Sequence, residues 1–386
     1  MFLVCVGLIA NSAKGASSSK PISNEEAADY ARRMEARFNE GETDVLVKLL
    51  NVEVLVGSAL ADLDIEAQER RDFTAGVRDG MIKKKGSQDE AGSLRFLRVT
   101  QTNGHPMPLM RLLPEAGGVE YQRLSLARTS TGKIQIVDIL PLSVGEWLSK
   151  SLRRSYLGLA ANKDKSLLDK LLGREREYLR HFDALTRLTE DLHQGRHAKA
   201  LETFRKLPKE LQSQKTVLKL GMSAALEADE NEYLLLVELW ERTYPADPTL
   251  DFLRLDAFTI RTNYTGALTC LDRLQKEVGE DAYLVFLRAN LNLLKGDFAA
   301  AEKSARQAIQ QEGSLYQCYD VLLAISLKTE KFTDTARILS ELEKASGADL
   351  RTTILDDDDY KTFRKSSEYE NWVRAHNKKE KKTQRQ

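Results

Sequence analysis

Residues 282–315 read AYLVFLRANLNLLKGDFAAAEKSARQAIQQEGSL, and the reading of the fold turns on them. Apolar residues recur at helical spacing on both sides of Gly296, which predicts two helices joined by a turn at Gly296 and Phe298. Ala289, Ala301 and Ala308 put small side chains where two such helices approach. Moving outward, Tyr264 and Phe332 stand 34 residues to either side of Phe298, each where a second helix should open. Pro245, Gly279, Gly313 and Gly347 keep the same interval at the ends of the units. One period held in two registers predicts stacked helix pairs. The unit from 248 offers Leu255, Phe258, Tyr264, Ala267 and Leu274, and the unit from 316 offers Tyr319, Leu323, Phe332, Thr335 and Leu342. Earlier copies are weaker: one near 214 has Gly221 and Trp240 but Tyr233 where a small residue is expected, and one near 181–213 keeps Gly195, Ala200 and Phe204.

This pattern resembles the tetratricopeptide repeat family over about 181–350, although the family's first-helix Trp is missing and Trp240 sits in a second helix. The resemblance implies an all-α solenoid whose first helices line a concave, peptide-binding groove. Projected on that register, the groove should present Leu218 and Met222, then Phe252 and Asp256, then Tyr283, Phe286 and Asn290, then Asp320. Phe252, Asp256, Tyr283, Phe286, Asn290 and Asp320 are the expected binding residues. Some family members clamp an acidic peptide tail with Lys and Asn; only Asn290 matches, so an acidic-tail adaptor is not expected. The competing reading is that Phe252, Tyr283 and Phe286 pack against a neighbouring helix or against the chain's own amino-terminal domain.

Ahead of the repeats the period changes. Ser23 and Glu26 form a capping box before Ala27, Ala31, Met34 and Phe38, predicting a helix over about 24–39. Short apolar helices are expected over 45–55, and another over 64–82 anchored by Ile65, Phe73 and Val77. After KKKGSQDEAG, four strand-length runs (93–101, 107–114, 118–129 and 133–142) are separated by TNGH, EAGG and TSTG, each a hairpin signal. An antiparallel meander covered by the helices is the simplest topology. Ser143 and Glu146 predict a second capping box, opening a helix through Trp147, Leu148, Leu152 and Tyr156.

Helices followed by an antiparallel sheet resemble the nuclear transport factor 2-like, cystatin-like α+β cone. That resemblance implies helices packed on a curved antiparallel sheet and a mouth able to hold a small molecule. If the cone carried chemistry of the isomerase or dehydratase type, Asp138 in IQIVDIL would be the base, with Tyr121, Arg98, Arg111 or His105 nearby as donors. The alternative for Asp138 is a structural partner of Arg98 or Arg111. The expected fold class is thus a cystatin-like α+β domain over 21–160, followed by a tetratricopeptide solenoid over 161–350. A helical cap over 351–375 and a basic disordered tail over 376–386 complete the chain.

Composition narrows the function. With 58 Lys plus Arg against 58 Asp plus Glu, there is no bulk electrostatic case for nucleic acid. FLVCVGLIA at 2–10 is about half the length a membrane-crossing helix needs, so no integral membrane segment is expected. Residues 1–20 read either as a signal peptide or as a disordered leader. A signal over 1–13 would make the protein exported or periplasmic; otherwise it is cytoplasmic. Cys5, Cys270 and Cys318 suggest no disulfide framework, and the acidic run Asp356–Asp359 lacks calcium-loop spacing. No cofactor motif is present. The expected activity is that of a noncatalytic scaffold for an unknown protein or peptide, with the α+β domain available for homodimerisation.

Overall fold

The computed structural model describes residues 20–83, 92–115, 117–163, 173–247 and 249–383. The expected leader up to residue 19, with Cys5, and most of the KKKGSQDE linker lie outside the described residues. The chain divides into two compact units, Met1–Thr249 and Leu250–Gln386.

The first unit opens with α1 (Asn24–Asn39), whose capping box forms as read: Ser23 Oγ accepts from Glu26 N at 3.1 Å and Glu26 accepts from Ser23 N at 3.0 Å. Short helices α2 (Val45–Leu49) and α3 (Val52–Ala59) and the longer α4 (Ala67–Lys83) follow. Strands β1 (Gly92–Thr102), β2 (His105–Pro114), β3 (Glu120–Arg128) and β4 (Ile134–Pro141) form one antiparallel sheet in sequence order. Asn103 and Gly104 both take positive φ between β1 and β2, the backbone an Asn-Gly hairpin turn requires. Met34, Phe38, Leu55, Leu94, Met110, Leu124 and Ile136 make the core between helices and sheet. The opposite face of the inner strands also buries Leu109, Arg111 and Tyr121. That double burial is why MPLMRLLP reads as continuous rather than alternating.

The expectation of a curved, cystatin-like cone is corrected here. The sheet is open and uncurled, with β1 and β4 as edges. Its edges are partly satisfied without closure. Asn39 brackets β1, donating to the Leu94 carbonyl at 2.9 Å and accepting from Leu94 N at 3.0 Å, while Glu35 accepts from Phe96 N at 3.0 Å. On β4, Asn51 N donates to the Ile136 carbonyl at 2.7 Å and Leu50 pairs parallel to Ile136. These ties occupy part of each edge, so the sheet need not close on itself to protect it. Element order alone, helices and then a meander, does not encode curvature.

The Ser143–Glu146 capping box is also corrected. Ser143 Oγ is taken by Glu120, and Glu146 by Arg154 and Thr216, so the helix starts later, as α5 (Leu148–Lys163). The unit continues with α6 (Gly173–Arg180), α7 (Phe182–His193), α8 (His197–Arg205), the short α9 (Lys209–Gln212), α10 (Lys215–Ala228) and α11 (Glu230–Thr243). Gly221 on α10 lies where a Cβ would come 2.5 Å from the Phe204 ring, so only glycine lets α8 and α10 approach this closely.

The second unit holds α12 (Leu250–Ile260) with α13 (Tyr264–Val278), α14 (Ala282–Lys295) with α15 (Phe298–Gln311), and α16 (Gln317–Lys328) with α17 (Phe332–Ser346). Tyr264, Phe298 and Phe332 each open a second helix, and Gly279 and Gly347 close two of them with positive φ. Ala289, Ala301, Ala305 and Ala308 are fully buried. Beyond α17, α18 (Arg351–Asp356) and two 3-10 turns lead to α19 (Ser367–Thr383), which runs on through the basic segment to Thr383. Phe363 is fully buried between Phe332 and Tyr369, at ring distances of 5.8 and 5.5 Å. Among the described residues, no helix is long and apolar enough to cross a membrane.

Candidate functional site

Two places were legible as candidates. Around Asp138, the side chain is half-buried, and its carboxylate accepts from Ile139 N at 2.8 Å, Ser149 N at 3.2 Å and Ser149 Oγ at 2.6 Å. Desolvation pushes the carboxyl above its ordinary value, and these three donors hold it back. Asp138 stands opposite Ser125 on β3, whereas Arg111 is on β2 and Arg98 on β1. The expected pairing with either arginine is therefore replaced by a tie from β4 to the first turn of α5, where an acceptor satisfies the helix's unpaired amides. His105 lies exposed at the β1–β2 turn.

In the second unit the six expected binding residues fall on three successive first helices. Phe252, Phe286 and Asp320 occupy equivalent positions on α12, α14 and α16; Asp256, Asn290 and Ala324 occupy the equivalent positions one turn on. Asp256, Asn290 and Asp320 are exposed, and Phe252 and Phe286 half-buried. Tyr283 is buried, its ring centroid 5.4 Å from that of Phe286, so it backs Phe286. The earlier positions do not continue the row. Leu218 and Met222 are buried in the first unit's core, a correction to their expected exposure.

Near the face, Arg273 and Arg254 pair with Asp251, at 2.6 and 3.8 Å, and Arg288 with Asp272 at 2.6 Å. Asp320 is exposed, and partial desolvation by its neighbours pushes its carboxyl above the ordinary value. Tyr360 is close enough that burial, then the charges of Asp320, Asp357 and Asp359, push its hydroxyl to about 12. Sequence reasoning placed Tyr360 only in the cap. The signal that could have linked it to Asp320 is the acidic run just before it, which bends the chain through a 3-10 turn where Asp357 accepts from Asp359 N at 2.9 Å.

A third cluster went unread in the sequence. In the first unit, Arg154 grips Glu146 with two hydrogen bonds, Thr216 Oγ1 donates to Glu146 at 3.0 Å, and Lys215 bonds the Gly145 carbonyl at 3.0 Å and Asp247 at 2.6 Å. Burial pushes Glu146 up, but the Arg154 bonds and charge outweigh it and hold the carboxyl low. Its residues lie far apart in sequence, so no local motif announces it.

No protein-family model matches this chain, and no curated protein matches it. The tetratricopeptide assignment is accordingly corrected to what the structure shows: a helix-rich region of consecutive helices in repeated pairwise packing. Divergence of the copies, such as Tyr233 at a small-residue position, goes with that result. A helix-rich carboxyl-terminal region of this kind is consistent, in general terms, with a protein–protein interaction scaffold.

Proposed function

We propose that the second unit is a noncatalytic binding scaffold, and that its ligand lies across α12, α14 and α16. The observation carrying this reading is that Phe252, Phe286 and Asp320 recur at one position of successive first helices, with exposed Asp256 and Asn290 one turn further on. A repeated helix pair gives each ligand residue a similar environment at regular intervals, which suits an extended peptide or a helix. The aromatic rings supply buried area at low entropic cost, while the carboxylates select for a basic segment.

The test leaves the core alone by changing only exposed residues. The full-length protein and its Asp256→Arg, Asn290→Arg, Asp320→Arg variant are immobilised and exposed to native extract, then washed at rising salt. The proposal expects specifically retained proteins to be lost from the variant and eluted early by salt from the parent. An identical retained set on both would reject this face.

A further inference from the structure

The first unit contains a helix whose packing is incomplete. α4 has 17 residues, yet none of its described side chains is buried, and only the stripe through Phe73, Val77 and Met81 leans on the core. Between α4 and α5 runs a groove of about 660 Å³. Its floor is Phe73, Val77, Leu152, Tyr156 and Leu159, with Phe73 edge-on to Tyr156 at 5.2 Å and Leu159 still 52% exposed. The lining from Glu66 to Val77 spans about 16 Å of helix, roughly three turns, which is the footprint of one more helix rather than of a small molecule.

Two features specify what fits. The rim is acidic: among the described residues, Glu66, Glu69 and Asp72 line the groove and no Lys or Arg does. Of the neighbouring arginines, Arg70 donates to the Leu60 carbonyl and Arg71 to Gln68, which itself lies on the groove wall. Gly76 also lines the groove, in mid-helix, with nothing within 4 Å of where its Cβ would stand. Glycine costs a helix stability, and among the described residues neither a turn nor a close contact asks for it there. Close approach by an incoming backbone would.

We infer that the α4–α5 groove docks an amphipathic helix of a partner protein, apolar on the inserted face and flanked by Lys or Arg. A second copy of this chain is the wrong occupant, because two-fold pairing would set Glu66, Glu69 and Asp72 against themselves. The groove belongs to the first unit and the face on α12, α14 and α16 to the second, and each is tested with its own variants, so the two readings fail independently.

The experiment uses the full chain and three labelled peptides followed by fluorescence anisotropy: a Leu/Ala/Lys sequence with a helical apolar face, its Leu/Ala/Glu counterpart, and a scrambled Leu/Ala/Lys sequence. The patterned Lys peptide should bind at least about tenfold more tightly than either control. Gly76→Trp fills the groove at an open position, and Leu159→Asp spoils its floor at an exposed one. Each should weaken binding by about tenfold or more with an unchanged circular dichroism spectrum. Glu66→Lys with Asp72→Lys should shift the preference toward the Glu peptide. Equal binding of all three peptides, or unchanged binding in both groove variants, would overturn the inference. So would a dimer in sedimentation that Gly76→Trp dissociates, since the occupant would then be a second copy.

Discussion

The sheet-bearing region of the first unit and the helix pairs of the second are held together by different kinds of contact. In the first, polar side chains reach across long stretches of sequence: Asn39 to Leu94, Glu35 to Phe96, Thr216 to Glu146. In the second, ion pairs run along one helix, such as Arg337 with Asp334 and Glu341, or to the next helix, such as Arg288 with Asp272, and the interior is filled by alanines and leucines of adjacent helices. A non-repeating fold needs specific ties to set which distant segments meet. A repeating one needs only that each helix fit its neighbour. Damage should therefore spread in the first unit and stay local in the second.

The largest effect should come from cutting a buried tie. Glu146→Ala strands Arg154 in a site where both side chains are under one-fifth exposed, and should cost the first unit about 3 kcal/mol in urea unfolding. If the loss is below about 1 kcal/mol, the ties are ornaments on a core that sets the fold unaided. Next, Ala301→Leu overfills a fully buried position between α14 and α15 and should cost about 2 kcal/mol, with hydrogen exchange quickening in those helices and their immediate neighbours. Exchange quickening through the whole second unit would contradict nearest-neighbour stability.

A smaller change runs the other way. Glu330 takes a φ of +52° in the turn before α17, at the position where Gly296 serves before α15. Glu330→Gly should relieve that strain and stabilise the second unit by roughly 0.5–1 kcal/mol in thermal melts. The smallest effect concerns Asp138, whose carboxyl is raised in the folded state by burial. A raised acid makes folding favour its protonated form, so its contribution is greatest at low pH and declines as pH rises from the ordinary value through the raised one. Asp138→Asn keeps an acceptor for Ser149. It should remove that declining slope from the pH dependence of unfolding while changing stability at neutral pH by less than about 1 kcal/mol.

The same contrast explains what could be read in advance. Helix starts at Tyr264, Phe298 and Phe332, and the Asn103-Gly104 hairpin, were legible because each is decided by residues within a turn of one another. Sheet curvature was not, because it depends on whether Asn39, Glu35 and Asn51 reach the edges, contacts set by tertiary placement. The start of α5 was misread for the same reason: Ser143 and Glu146 have local capping spacing, yet Glu120 and Arg154 claim them. Of the candidate face, its positions followed from the period. The burial of Tyr283 and the nearness of Tyr360 to Asp320 did not, since they arise between helices.

The central claim, that α12, α14 and α16 present the binding face, is tested most directly by site-specific photocrosslinking in the full chain. A benzophenone amino acid replaces Phe286 in one protein and exposed Lys303, on the second helix α15, in another. Irradiation in host cells should give a discrete crosslinked adduct from position 286 that disappears when Asp256→Arg and Asp320→Arg are added, and no such adduct from position 303. Adducts of equal yield from both positions, or an adduct from 286 that survives the charge reversals, would contradict the account.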